Sequence, residues 1–191
     1  DEIYAQENYP SEKVVNSFGV QDDFMYQYAL PILNERAGTG NPFFSVLLSI
    51  SNHPPYVIPP YFHPHSDVLE EQIVEYADWS IRQFMQAAEK QPWFDNTIFV
   101  FLGDHGKMVG TPECEMPQSY NHIPLMIYGK DIKPGVYDGF GGQVDVSPTL
   151  LGLLNISYLQ NNFGVNLLEE ERPCMFFTAD NLIGARDSVN M

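Results

Sequence analysis

The hydrophobic positions of the chain form short uninterrupted runs, and longer amphipathic stretches separate them. Three runs predict strands: residues 43–50 (FFSVLLSI), 98–102 (IFVFL) and 122–128 (HIPLMIY). Runs of this length, rich in branched and aromatic side chains and ended by turn formers, are typical of strands buried on both faces, as in a parallel sheet. A last strand is predicted over residues 174–178.

The stretches between these runs show helical spacing. Residues 20–36 predict an amphipathic helix with a break or kink at Pro31, because proline cannot donate the helical hydrogen bond. Residues 66–90 predict a second helix, and residues 149–154 a shorter third one. Strands that alternate with helices indicate a βαβ architecture and a largely parallel sheet.

The strongest candidate chemistry follows the run at 98–102, where the sequence reads Gly103-Asp104-His105-Gly106. Open α/β sheets build their ligand sites at the carboxyl ends of strands. A carboxylate and an imidazole side by side suit a divalent metal of intermediate softness. The alternative is an ordinary turn with an incidental histidine, because two ligands alone do not make a metal site.

Further polar residues follow other predicted elements. His53 comes after the run at 43–50 and could bind an anionic oxygen or a metal, or simply satisfy its local turn. His122 fits a structural hydrogen bond near the site, with a ligand role left open. Gln143 and Asp145 could reach the metal crevice, although the N-terminal cap of a helix accounts for them equally well.

The charge limits the partners. The 191 residues include 25 acidic and 9 basic side chains, for a formal net charge of −16. No basic patch is available for nucleic acid or for an anionic membrane surface. An anionic substrate therefore requires a metal or a few placed cations. Cys114 and Cys174 could pair or stay free, and no stretch approaches the roughly 18 apolar residues of a membrane span.

Several segments, in order, resemble the C-terminal half of the alkaline phosphatase/sulfatase superfamily: NTIFVFLGDHG, NHIPLMIYG and GGQVDVSPTLLGLL. FGVQDDFMYQYALPIL, SVLLSISNHPPY and QPWFDNTIFVF narrow the resemblance to the lipoteichoic acid synthase and phosphoglycerol transferase branch. The resemblance implies a three-layer α/β/α fold with a largely parallel sheet. It also implies that residues 1–191 are the incomplete, C-terminal part of a single catalytic domain, cut from a longer protein.

In that family, an extracytoplasmic domain tethered by N-terminal membrane helices transfers glycerol phosphate from phosphatidylglycerol to a polymer or glucan. A threonine nucleophile is activated by one metal, commonly Mn²⁺, bound by a glutamate, that threonine and an Asp-His pair. The pair corresponds to Asp104 and His105, and the family's substrate-binding histidine corresponds to His53. A metal and an imidazole suit phosphoryl transfer, which depends on positioning and charge neutralisation.

The resemblance also has departures. The family's glutamate ligand, its nucleophile and further substrate-binding residues lie upstream of Asp1, so we expect no catalytic nucleophile here and an inactive fragment. Gly106 follows His105 directly, whereas some lipoteichoic acid synthases have an inserted aromatic there, which favours the broader sulfatase-like or phosphoglycerol transferase group.

Two alternatives stay open. One is a sulfatase with Ca²⁺ and a formylglycine nucleophile, and the other is a non-catalytic relative that has lost the nucleophile. The main prediction is an enzyme of the outer face of a bacterial membrane that acts on a lipid-linked or ester phosphate.

Overall fold

The computed structural model describes residues 2–107, 111, 118–179 and 182–189. The chain divides into two compact units, Asp1–Thr97 and Ile98–Met191, and each is described by itself. None of the helices in the described residues is long and apolar enough to cross a membrane.

The first unit is built on two packed helices, α1 (Asp22–Gly38) and α2 (Leu69–Ala88). A short antiparallel hairpin, β1 (Val14–Asn16) and β2 (Gly19–Val20), precedes them. The buried side chains of both helices recur every three or four positions, as expected for one helical face turned to a core. Beyond the buried Asp22 and Asp23 of the first turn of α1, they are Met25, Ala29 and Leu33 on α1, and Ile73, Tyr76, Ser80, Phe84 and Ala88 on α2.

A buried polar contact joins these two helices. The Tyr76 hydroxyl of α2 donates to Asp23 Oδ1 of α1 at 2.5 Å, and the Tyr61 hydroxyl donates to Asp23 Oδ2 at 2.8 Å. Burial and the hydrogen bond to Asp23 raise the pKa of Tyr76 and bring that of Tyr61 to about 12. Both tyrosines therefore remain neutral donors to the carboxylate.

One prediction for this unit is narrowed and another is wrong. Helix α1 runs on through Pro31 to Gly38, so of the predicted break or kink the break does not occur. Residues 43–50 form no strand, and most of their apolar side chains are exposed, while Leu47 and Ile50 are half-buried. The Ile50 and Ser51 amides donate to Asp22 Oδ1 at 3.0 and 2.9 Å, so the end of this run is held by a side chain instead of a neighbouring strand.

The described residues of the second unit form four strands and two helices. Strand β3 (Phe99–Leu102) pairs with β4 (Leu125–Tyr128), placing Phe99 opposite Tyr128. Helix α3 (Gln118–Asn121) lies between them in sequence. After β4 come helix α4 (Gln143–Leu153) and the hairpin of β5 (Met175–Ala179) and β6 (Leu182–Arg186).

All three strand pairs in the described residues are antiparallel, which contradicts the predicted largely parallel arrangement of these strands. A two-residue connection joins β1 to β2, and such a short connection permits only antiparallel pairing. The Gly103 amide donates to Pro124 O at 3.4 Å and so extends the contact between β3 and β4 by one residue. The predicted strand positions at 98–102, 122–128 and 174–178 are confirmed within a few residues.

Candidate functional site

The loop that follows β3 carries the predicted metal ligands and is held against α3. The Gly106 amide donates to Tyr120 O at 2.8 Å, and the His105 ring stacks on the Tyr120 ring with centroids 5.7 Å apart. A Cβ on Gly106 would collide with the Ser119 carbonyl oxygen. Only glycine therefore allows the loop to approach α3 this closely.

Asp104 and His105 present an accessible carboxylate and an accessible imidazole next to each other. His105 Nδ1 lies 2.8 Å from Gly106 O, and a carbonyl oxygen only accepts, so Nδ1 carries the proton and donates it. The lone pair of the neutral ring is then on Nε2, which lies 3.8 Å from Asp104 Oδ2. The His105 side chain is 55% exposed and the Asp104 side chain is 78% exposed, so His105 Nε2 and Asp104 Oδ2 are both accessible to a ligand.

This geometry fits a shared cation. In zinc sites, bonds to imidazole nitrogen and carboxylate oxygen are about 2.0–2.2 Å long, so two such atoms on one ion lie at most about 4.3 Å apart. The 3.8 Å separation is within that limit. In the described ranges, no group of three or more His, Cys, Asp or Glu side chains could hold a metal, so the pair supplies only part of a coordination sphere.

Gln143 contacts the same loop from the first position of α4. Its Nε2 donates to Gly103 O at 3.1 Å and to Asp104 O at 2.7 Å. Gln143 therefore contacts the backbone of the loop, including that of Asp104, and not the Asp104 carboxylate. The helix begins at Gln143, six residues before the predicted start at residue 149.

Asp145 is fully buried and caps α4 from within. Its carboxylate accepts hydrogen bonds from the Gly142 amide (2.8 Å), the Val165 amide (2.8 Å) and Arg172, whose Nε and Nη2 approach at 2.8 and 2.5 Å. Burial opposes ionisation, but the bonds from Arg172 and the two amides outweigh it and lower the pKa of Asp145. The N-cap of α4 is Gly142 and not Asp145, which lies at the third helical position and accepts the Gly142 amide from there. The carboxylate of Asp145 faces Arg172 instead of the Asp104–His105 pair.

His53 belongs to the first unit, where it lies in an exposed turn. Its Nδ1 donates to Pro54 O at 2.7 Å, and its ring centroid lies 4.1 Å from that of Phe18. The turn is anchored upstream by Asp22, whose Oδ1 accepts the Ser51 amide and whose own amide donates to Ser51 Oγ at 3.1 Å. His53 Nε2 takes part in no hydrogen bond with the described residues.

The remaining predicted residues have simpler surroundings. His122 is exposed between α3 and β4, and no hydrogen bond joins it to Asp104 or His105 in the described part of the chain. Cys174 is half-buried and free, and Cys114 lies outside the described residues. Sequence reasoning missed the contacts of Arg172 with Asp145 and of Asp22 with Ser51, because these partners lie 27 and 29 residues apart in the chain.

Comparison with known proteins identifies the family. The sequence pattern that defines the Sulfatase family matches residues 1–156. The chain belongs to the sulfatase family. Lipoteichoic acid synthase 2 of Bacillus subtilis is 25% identical over 92% of this sulfatase-family chain, and the match covers 30% of that relative.

Solved structures give the fold of this sulfatase-family chain. An alkaline phosphatase superfamily protein from Vibrio parahaemolyticus matches with a TM-score of 0.84 and 27% identity, over 95% of this chain and 46% of that one. The lipoteichoic acid synthase LtaP from Listeria monocytogenes matches with a TM-score of 0.75 and 25% identity, over 91% of this chain and 48% of that one. The predicted alkaline-phosphatase-like fold class is confirmed. The chain spans less than a third of the curated relative and about half of each solved structure.

Proposed function

We propose that the intact protein containing this chain is a metal-dependent phosphoglycerol transferase. It transfers glycerol phosphate from a phosphatidylglycerol-type donor to a polymer or glycan acceptor. The observation that supports this most directly is the open pair of His105 Nε2 and Asp104 Oδ2, 3.8 Å apart, in a chain related to lipoteichoic acid synthases.

In this proposal, Asp104 and His105 are two ligands of one divalent cation, with Mn²⁺ favoured. A bound cation would lower the pKa of the nucleophile and neutralise charge on the phosphate. The Nδ1 bond of His105 to Gly106 O keeps the Nε2 lone pair available for this role. In this proposal, the nucleophile and the remaining metal ligands come from parts of the protein outside residues 1–191. We therefore expect residues 1–191 alone to bind metal weakly and to convert no substrate.

His53 has the role of a phosphate ligand in the same proposal. Its Nδ1 proton is engaged by Pro54 O, so the imidazolium form would donate from Nε2 to a phosphate oxygen. The cation and this imidazole together allow a protein with a net charge of −16 to bind an anionic substrate.

The substrate class implies a location. The proposed donor is a lipid-linked phosphate, which lies in a membrane. We therefore propose that the intact protein is tethered to the extracytoplasmic face of a bacterial membrane, with no nucleic acid as partner.

A sulfatase is the second candidate, because the family pattern that matches residues 1–156 is that of the sulfatases. It would use Ca²⁺ and a formylglycine nucleophile with the same two ligands. A non-catalytic relative would keep the fold and lack a nucleophile.

An assay of the intact protein separates these candidates. With Mn²⁺ and phosphatidylglycerol, breaking the phosphate ester to the lipid transfers glycerol phosphate to the nucleophile and releases diacylglycerol. We expect diacylglycerol release with Mn²⁺ and no hydrolysis of an aryl sulfate. Sulfate release with Ca²⁺ and no diacylglycerol would contradict the transferase, and no turnover of either substrate would indicate the non-catalytic relative.

The same assay tests His53. In the His53→Ala variant we expect a higher KM or a lower kcat/KM for phosphatidylglycerol with Mn²⁺ still bound, because the lost group contacts phosphate. Loss of the metal from this variant would instead make His53 a metal ligand.

A further inference from the structure

We propose that Gln143 is a positioning residue that holds the Asp104–His105 pair ready for its cation. This inference rests on the proposed metal-binding function of the pair. Gln143 Nε2 donates to two successive carbonyl oxygens, those of Gly103 and Asp104, at 3.1 and 2.7 Å. The side-chain amide of Gln143 thereby bridges the backbone of Gly103 and that of Asp104, the first of the two proposed metal ligands.

The bond to Asp104 O fixes the orientation of the peptide unit that joins Asp104 to His105. The N–H of that same peptide unit, on His105, donates to Asp104 Oδ1 at 2.9 Å. Because a peptide unit is planar, holding its carbonyl also holds its N–H, and through it the carboxylate. Oδ1 is then occupied, and Oδ2 is the oxygen that lies 3.8 Å from His105 Nε2.

Gln143 is the first residue of α4, and the first turn of this helix is held in place by several contacts. Asp145, two residues later in the first turn of α4, is fully buried and bound by Arg172 and by the Gly142 and Val165 amides. Gly164 packs so closely on this turn that a Cβ there would collide with the Val144 carbonyl oxygen. The amide of Gln143 is therefore presented from a rigid support.

Gln143 acts through the backbone alone, since its contacts are with carbonyl oxygens and not with the ligand atoms. Partners that orient metal ligands in this way typically change metal affinity about 10–100-fold when they are removed. We expect the loss of Gln143 to act on metal affinity and to leave the chemical step intact once metal is bound.

The test uses Gln143→Met in the intact protein, because methionine keeps the length of the side chain and removes both donors without adding charge. We expect the Mn²⁺ Kd to rise about tenfold. We expect kcat/KM to fall at limiting Mn²⁺ and to recover at excess Mn²⁺, while the Tm of the metal-free protein stays unchanged. Gln143→Asn keeps the amide but shortens the side chain by one methylene, so it should show the same loss.

Gln91→Met is the matched control. Gln91 Nε2 also donates to a backbone carbonyl, Ala87 O at 3.1 Å, at the end of α2 in the first unit. The chemical change is the same, and the Mn²⁺ Kd should stay as in the unchanged protein.

Two outcomes overturn the inference. One is a Gln143→Met variant that binds Mn²⁺ as tightly as the unchanged protein while Asp104→Ala loses it. The other is a loss of activity in Gln143→Met that excess Mn²⁺ does not restore. If Asp104→Ala binds Mn²⁺ normally, the metal assignment itself has failed, and the proposed function fails with it.

Discussion

The ionised carboxylate of Asp145 is fully buried, and its ion pair with Arg172 offsets the free-energy cost of burying the charge. A buried charge is costly unless its partners satisfy it, and removing one partner of a buried pair typically costs about 3–5 kcal/mol. Here the guanidinium donates two bonds and backbone amides supply two more. The pair stabilises the first turn of α4, and with it the support of Gln143.

The lowered pKa of Asp145 predicts a pH dependence of stability. In the unfolded chain an aspartate has a pKa of about 3.9. At pH values between that pKa and the lower pKa of folded Asp145, the unfolded state therefore binds more protons than the folded state. The stabilisation is therefore complete above the unfolded pKa and is lost as the pH falls through the folded one. The Asp145→Asn variant lacks this contribution.

Urea unfolding of the intact protein and of Asp145→Asn between pH 6 and pH 2 measures this contribution. The difference in the free energy of unfolding should be largest at pH 6 and should shrink on acidification. A difference that stays constant over this range would show that the carboxylate is not held ionised.

Sequence reasoning finds the residues of the site that are neighbours in the chain. Asp104 and His105 are adjacent and directly follow an apolar run, so their chemistry is visible locally. The contact of Gln143 with Asp104 joins positions 39 residues apart, and that of Arg172 with Asp145 joins positions 27 apart. No local pattern encodes these pairings, because they depend on how the elements pack.

At the scale of elements, the contact between the loop after β3 and helix α3 depends on Gly106. We predict that Gly106→Ala destabilises the intact protein by about 1–3 kcal/mol and weakens Mn²⁺ binding, because the new methyl group displaces the backbone at Ser119. The Tm and the Mn²⁺ Kd measure the two effects.

Gly38→Ala is the control for this substitution. Gly38 is the last residue of α1, and a Cβ there meets no atom within 4 Å in the described structure. The change should be neutral or slightly stabilising, since alanine is the better helix former. A Gly106→Ala variant as stable as Gly38→Ala would show that the loop does not require the close approach.

The elements themselves are only partly predictable. Apolar runs locate β3, β4 and β5, and helical spacing locates α1 and α2. The run at 43–50 has the composition of a strand, but its last amides bond to Asp22 and it pairs with no described strand. Composition gives the tendency to form a strand, and pairing decides whether the strand forms and in which direction.

At the scale of the whole molecule, the net negative charge sets a strict condition for testing the proposed metal site. A chain with a net charge of −16 attracts cations everywhere on its surface, so weak and unspecific Mn²⁺ binding is expected in any case. The proposal requires one site that stands out from this background and depends on two named side chains.

The most direct measurement is a Mn²⁺ titration of the intact protein by calorimetry, with Asp104→Ala and His105→Ala beside it. Asp78→Ala is the control, because it removes another exposed carboxylate, one that pairs with Arg82 on α2. We predict one tight Mn²⁺ site that is present in the unchanged protein and in Asp78→Ala and is lost in both site variants. Tight binding of one Mn²⁺ by Asp104→Ala, with the affinity of the unchanged protein, would contradict the account.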